Sequence, residues 1–340
     1  MNPYISIVVV ARNDNYGGDF LQRISVFMRS LGRQAEQYPR LMELVIVEWN
    51  PPTDRPHLAD ALAWPPYLAG RIITVPKEAH DQVTQDNGMP LLECFGKNVG
   101  IRRSRGNFTL VTNADIIFTD ELVAEFAKRR LQQGTFYRVD RYDYDGHGID
   151  QIATEDLIAF ASSRVNFAHI RHNDDVAAAI SMNALPGTDW VSRPRSAVLP
   201  GDETHENGSV VECNNDQTQL WGLHTNASGD FILAPRQAWL DCKGFWERAD
   251  TFTHLDSYCV CRMRGIGLRQ TLFRAPLTIL HLDHVRTEQA GRPKLPWPEV
   301  LVELEQLRVD PNSLGYARQR GWGLETSILR EVEPATFKPA

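Results

Sequence analysis

The chain lacks most of the features that mark specialised proteins. Its five cysteines, Cys94, Cys213, Cys242, Cys259 and Cys261, are odd in number and contain no Cys-x-x-Cys pair. That speaks against a disulfide framework and against a structural zinc site. The longest clean apolar run, Ile5 to Ala11, includes Ser6, and it falls far short of the roughly 20 residues a bilayer span needs. Met1-Asn2-Pro3-Tyr4 leads straight into that run without a basic stretch, so no signal peptide is expected. Positive charge is not in excess: 36 Lys and Arg face 43 Asp and Glu, a net charge of −7. This excludes a general nucleic-acid coat or a basic membrane-surface protein, although not a local basic groove. The chain has no internal repeat and no low-complexity tract. Together these absences describe a cytoplasmic protein with reduced thiols, no nucleic-acid partner, no transmembrane segment and at most peripheral membrane contact.

What is present is ordinary globular material. Hydrophobic residues make up 42% and charged residues 23% of 340, which excludes a disordered chain. The length suits roughly two domains of about 150 residues, or one large α/β domain with excursions. Ile5–Ala11 is apolar on both faces, as in a strand buried within a parallel sheet. A polar turn with Gly17 and Gly18 follows. From Asp19, residues Phe20, Ile24, Phe27, Met28 and Leu31 recur at helical spacing. Leu44 to Glu48 is a second strand, stopped by Trp49-Asn50-Pro51-Pro52. A helix with Leu58, Leu62 and Trp64, a strand near Arg71 to Val75, a helix from Leu91 to Arg105 and a strand from Phe108 to Thr112 complete the half. The alternation predicts an α/β fold with a mostly parallel sheet covered on both faces, and such sheets bind ligands at the carboxyl ends of their strands.

Further on, a helix is expected from Asp120 to Leu131, one strand from Phe136 to Tyr144, and an aperiodic loop over about 184–208. Beyond lie a short strand at Gly229–Ala234, a helix from Pro235, another from His254 to Gly265, and two strands within Leu268–His281. A tail from Arg286 contains a helix at Trp297–Leu307 and several glycines near its end.

The strand ends carry the polar groups. Arg12, Asn13 and Asp14 follow strand one, Glu48 and Asn50 close strand two, and Asn113 and Asp115 follow strand four. An acid at the last position can hold a divalent cation on a pyrophosphate; its bland reading is a turn or cap. Three later features join it: Ser228-Gly229-Asp230 with Gly244-Phe245-Trp246-Glu247, then His254-Leu255-Asp256, then His281-Leu282-Asp283-His284. Asp256 also reads as a helix cap. Trp221, Trp239, Trp246, Trp297 and Trp322 read mostly as core, and the cysteines as small buried hydrophobes.

In their order these pieces resemble the GT-A (Rossmann-like) fold of nucleotide-sugar glycosyltransferases, closest to the family 2 pattern. The resemblance spans about residues 5–284. It rests on the buried first strand, the acid after strand two, Asn98-Val99-Gly100 with Gly106 ahead of Asn113-Ala114-Asp115, the glycine at 229, the Gly-Phe-x-Glu turn and Asp256. It implies a metal-dependent, inverting transferase moving a sugar from a UDP- or GDP-sugar to a carbohydrate or glycolipid hydroxyl. Asp115 with His281 or His284 would bind Mn2+ or Mg2+. The donor would meet Ala11, Arg12, Asn13, Glu48, Asn50, Asn98, Arg102, Asn113, Ala114, Gly229 and Asp230, and Asp256 would be the general base. Arg103 would add positive charge beside Arg102, unless both are solvated helix charges.

The departures are Asn113 where the family has an aspartate, and Leu255-Asp256 where it has Glu-Asp. Val47-Glu48-Trp49-Asn50 looks like the Trp-Asn turn of exostosin-type transferases. The expected layout is a catalytic domain over 1–284, with a nucleotide half over 1–116 and an acceptor half over 117–284. A helical lid over 285–340 would close on the donor. The missing carboxylates support a second reading, a non-catalytic nucleotide-sugar-binding or scaffold protein. A sugar-phosphate nucleotidyltransferase fits less well, because the glycines after strand one come late.

Overall fold

The computed structural model describes residues 2–84, 88–169, 202–204, 210–212, 223–225, 227–251, 254–284, 302, 306 and 321–334. Most of the expected 184–208 loop, most of the helix at 297–307 and most of the 285–340 lid lie outside them, as do Trp221, Trp297 and Cys213. Among the described residues, no helix is long and apolar enough to cross a membrane.

The first half runs β1 (Ile5–Ala11), α1 (Phe20–Gln37), β2 (Met42–Trp49), α2 (Leu58–Ala61), β3 (Ala69–Val75), α3 (Lys77–Thr84), α4 (Glu93–Arg103) and β4 (Phe108–Val111). The second runs β5 (Ile116–Phe118), α5 (Asp120–Ala127), β6 (Thr135–Val139), β7 (Arg141–Tyr144), α6 (Leu157–Ser163), β8 (Val165–His169), β9 (Asp202–Thr204), β10 (Val210–Glu212), β11 (Ile232–Pro235), α7 (Arg236–Asp241), α8 (Leu255–Gly265), β12 (Arg269–Phe273), β13 (Ile279–Leu282) and β14 (Arg330–Val332). An eight-stranded sheet has the order β12-β6-β11-β4-β1-β2-β3-β14, a four-stranded one the order β5-β13-β7-β8, and β9 and β10 form a pair. The central strands β3, β2, β1 and β4 are parallel, as the alternation of the first half requires. β11 and β14 run antiparallel to their neighbours β4 and β3. The molecule is thus α/β.

The pleat of β1 sorts its side chains. Ile5, Ile7, Val9 and Ala11 join α1 and α5 in one apolar layer, while Val8 faces the layer of α4, α7 and α8. Helix α4 lies close on β1 because Gly96 and Gly100, one turn apart, face it. A Cβ on Gly100 would come within 2.3 Å of Val8 Cγ1, and one on Gly96 within 2.7 Å of Val10 Cγ1. This close packing sets the height of β4 and its following turn against α4.

Four expectations change. Helix α2 is one turn, since Trp64-Pro65-Pro66 cannot extend it. The strand expected over Phe136–Tyr144 is two strands in different sheets, parted at buried Asp140, whose carbonyl accepts from Thr278 Oγ1 and, at 3.4 Å, from Ile279 N. Part of the aperiodic 184–208 stretch is strand β9. The described part of the tail is packed where looseness was expected: β14 extends the sheet edge, and Trp322 is buried against α4. Arg103 donates to the carbonyls of Gly323 (2.9 Å), Leu324 (3.0 Å) and Ser327 (3.1 Å).

Replacing Gly100 by Ala is expected to destabilise the protein by about 1–3 kcal/mol through overpacking on Val8. The urea midpoint falls with an unchanged slope.

Candidate metal and donor site

Four residues beyond β4 the chain reaches Asp115 and enters β5. β5 pairs with β13, setting Ile116 opposite His281. His284 follows two residues after β13. Pairing of two short strands thus gathers residues 166 and more positions apart: one ligand atom each of Asp115, His281 and His284 lies within 4.8 Å of the others. His284 Nε2 is 3.2 Å from Asp115 Oδ2, and His281 Nε2 is 3.9 Å from Asp115 Oδ1. Burial opposes ionisation of Asp115, but His281, His284 and Arg23 outweigh it and hold the carboxyl at about 2. Asp115 Oδ1 is buried without a hydrogen-bond donor. Both histidines, not one of the two, stand at Asp115.

Around this cluster lies a second group that sequence reasoning did not single out. Arg141 pairs with Asp143 (Nε to Oδ1, 2.7 Å) and donates to Asp230. Asp143 Oδ1 stands 3.2 Å from His281 Nδ1. The two pairs bring both carboxyls below the usual range, in spite of burial. The available signal was Arg141-Tyr142-Asp143, two opposite charges on one face of a strand. Asp230 also accepts from Asn113 Nδ2 at 2.6 Å on its carboxylate and from Thr112 Oγ1 at 2.6 Å on its carbonyl. Asn113 is therefore a donor to an acid; an aspartate there would face Asp230 as a like charge.

The loop after β1 borders the same place. Arg23 reaches back to the carbonyls of Tyr16 and Gly18 and lies 4.0 Å from Asp115 Oδ2. The Tyr16 ring meets His284 edge-on at 5.9 Å. Arg12 donates to Asn50 O at 2.7 Å and to Asp14 Oδ2 at 2.6 Å, which joins the ends of β1 and β2. Asn13 Nδ2 donates to Pro56 O at 2.9 Å, and its Oδ1 is buried without a donor. Asn50 Nδ2 donates to Pro90 O at 3.0 Å. Ala11 and Ala114 are buried.

Three residues expected on the donor make other contacts. Glu48 is fully buried and accepts from Leu58 N (2.7 Å) at the start of α2, with His57 Nδ1 at 2.8 Å. Asn98, also fully buried, exchanges hydrogen bonds of 2.8 Å with both backbone groups of Phe245 and donates to Glu247 Oε1 at 2.9 Å. Arg102 donates to Trp322 O at 2.8 Å and lies 4.4 Å over the Trp322 ring. These two tie α4 to the Gly-Phe-x-Glu turn and to the tail.

Asp256 sits in the first turn of α8 but caps another element. Its Oδ2 accepts from Ser228 Oγ (2.8 Å) and Gly229 N (2.7 Å), in the 3-10 turn that ends in Asp230. Lys97 Nζ donates to Gly229 O at 2.9 Å. Ser228–Asp230 thus connects Asp256 to the Asp115 surroundings. Trp239 and Trp322 are core residues, Trp246 is half-buried, and Cys242, Cys259 and Cys261 are buried thiols.

No protein-family model matches the chain, and no curated protein sequence matches it. Among solved structures it is similar to the crystal structure of S. aureus TarS 1–349, with a TM-score of 0.46 and 11% identity over 96% of this chain and 76% of that one. Likeness at this level leaves function to the site's own residues.

Glu247 gives a pH dependence. Burial pushes its carboxyl up to about 7, although Asn98 and Gly323 N (2.7 Å) donate to it. The folded value lies above the ordinary 4.5. The unfolded chain therefore loses this proton first, and stability falls as pH rises from about 4.5 to about 7, then levels. Glu247→Gln keeps an acceptor for both donors and removes the titration. Its urea midpoints at pH 5 and pH 8 are expected to differ less than those of the wild type.

Proposed function

We propose that the protein is a metal-dependent glycosyltransferase. It moves a sugar from a UDP- or GDP-sugar to a carbohydrate or glycolipid hydroxyl, with inversion at the anomeric carbon. The observation that carries this reading is the Asp115, His281 and His284 cluster at the carboxyl end of the parallel sheet, beside the loop after β1. Open α/β sheets bind ligands at that edge.

The residues fit a divalent cation. They offer one carboxylate and two imidazoles, and Asp115 Oδ1 is a buried acceptor with no donor. Imidazole favours transition ions, while Mg2+ prefers oxygen alone, so the set favours Mn2+ over Mg2+. When bound, the ion supplies Lewis-acid neutralisation of the leaving diphosphate. Arg12, Asn13 and Asn50 stand together beyond the ends of β1 and β2, where the nucleoside would be held. Asp256 is the base. The bonds from Ser228 and Gly229 fix its Oδ2 and leave Oδ1 for an acceptor hydroxyl. The acceptor oxygen bonds to the anomeric carbon as the bond from that carbon to the diphosphate oxygen breaks. The electron pair leaves with the diphosphate, and the hydroxyl proton passes to Asp256.

A thermal-shift screen of UDP-, GDP-, CMP- and dTDP-sugars with and without Mn2+ identifies the donor; binding at a hundredfold excess over Kd stabilises by about 2.7 kcal/mol. Asp115→Asn is expected to abolish turnover with the fold intact, and full activity in excess chelator would sink the metal assignment. Asp256→Asn is expected to lower kcat at least about a hundredfold while donor affinity holds. Near-normal kcat, or a product that keeps the donor's configuration, removes Asp256 from the role of base. Donor binding without hydrolysis or transfer in Mn2+ favours the non-catalytic binding protein.

A further inference from the structure

We infer that Asp143 is a positioning residue for His281: it fixes which ring nitrogen faces Asp115, and Arg141 holds Asp143 to that task. The inference rests on the reading of Asp115, His281 and His284 as a cation site. It comes from the backbone outward. β7 and β13 are parallel neighbours whose register pairs Asp143 with His281. Residues paired in this way project on the same face of the sheet. The side chains meet accordingly, with Asp143 Oδ1 at 3.2 Å from His281 Nδ1. The other nitrogen, Nε2, is then the one turned to Asp115, at 3.9 Å. His281 is buried, so no water-facing rotamer competes.

Asp143 is itself held. Arg141, two residues back on the same strand face, contacts both of its oxygens, Nε to Oδ1 at 2.7 Å and Nη2 to Oδ2 at 2.9 Å. His169, paired with Arg141 across β8, lies 3.6 Å from Asp143 Oδ2. If Asp143 served only to neutralise Arg141, Asp230 would already provide a counter-charge, and nothing would require a carboxylate oxygen on His281 Nδ1. A carboxylate behind a ligating imidazole fixes its tautomer and raises its basicity, and losing such a partner typically costs about 10–100-fold in metal affinity.

Calorimetric titration of Mn2+ into the full chain tests this. Asp143→Asn, isosteric and still able to accept from Nδ1, is expected to weaken Mn2+ binding about 10-fold or more, and Asp143→Ala further, toward 100-fold. Wild-type Mn2+ affinity in a folded Asp143→Asn protein overturns the proposal. A wild-type protein that binds no Mn2+ overturns the cation-site reading beneath it, which is a different result. Histidine nitrogen NMR of the wild type loaded with Zn2+, a diamagnetic stand-in, decides without a variant, His281→Gln assigning the signals. A proton on His281 Nδ1 with metal on Nε2 supports the proposal; the reverse overturns it.

Discussion

Burying a carboxylate costs several kcal/mol unless charge and hydrogen bonds replace its water, and this protein brings three near one point, Asp143 and Asp230 buried and Asp115 partly so. Asp143 and Asp230 meet the cost through Arg141, whose guanidinium pairs with both. That arrangement raises the arginine's own proton affinity despite burial. Asp115 is treated differently. Its neighbours are Arg23 at 4.0 Å and two histidines, and one of its oxygens has no donor. Asp143 and Asp230 each pair with a guanidinium at short range, while the nearest guanidinium to Asp115 is 4.0 Å away. That difference supports the proposed cation site at Asp115.

Arg141 can do this because the chain changes sheets just before it. β6 belongs to the large sheet and β7 to the small one, with Asp140 between them. Arg141 therefore stands at the junction, and its bond to Asp230 ties the small sheet to the turn leading into β11. The same turn is tied to the end of β4 by Thr112 and Asn113, and to α8 through Gly229 and Asp256. The proposed cation site and the carboxylate proposed as base hang from one short turn. A shift at Ser228–Asp230 would move both.

The parallel half of the fold was readable because its signals are local. Strands buried on both faces, helical spacing and proline stops gave β1, β2, β3, β4 and α4 to within two residues at each end, and the start of α1. The small sheet was not readable. β5, β7 and β13 are three to four residues long, and their pairing is a matter of tertiary register. For the same reason Asp115, His281 and His284 could be named from their places after strands, while Arg141 and Asp143 could not. Glu48, Asn98 and Arg102 stand where a donor-binding pattern expects them, yet spacing alone cannot reveal that a buried helix start, a turn carbonyl and a tryptophan use their polar groups. The tail misled for a related reason. Its glycines suggested looseness, but Gly323 has a positive φ and packs where a Cβ would lie 2.7 Å from Asn98 O. There glycine marks close approach, not freedom.

The asparagine at 113 now has an electrostatic reason. With neutral imidazoles, Asp115, Asp143 and Asp230 bring three negative charges against the two positive charges of Arg141 and Arg23, which leaves one in excess. A divalent cation would reverse that sign, as the proposed binding of a diphosphate requires. A carboxylate at 113 would add a second excess charge, 2.6 Å from Asp230, where Asn113 now donates. The repulsion would fall on Asp230 and, through its turn, on Asp256. On the proposed reading, the missing acid is matched by two histidines that would hold a cation without adding negative charge, and by an amide that donates to Asp230. If the proposed cation site holds, Asn113 in place of an aspartate is a change of charge balance and by itself gives no ground for reading the site as inactive.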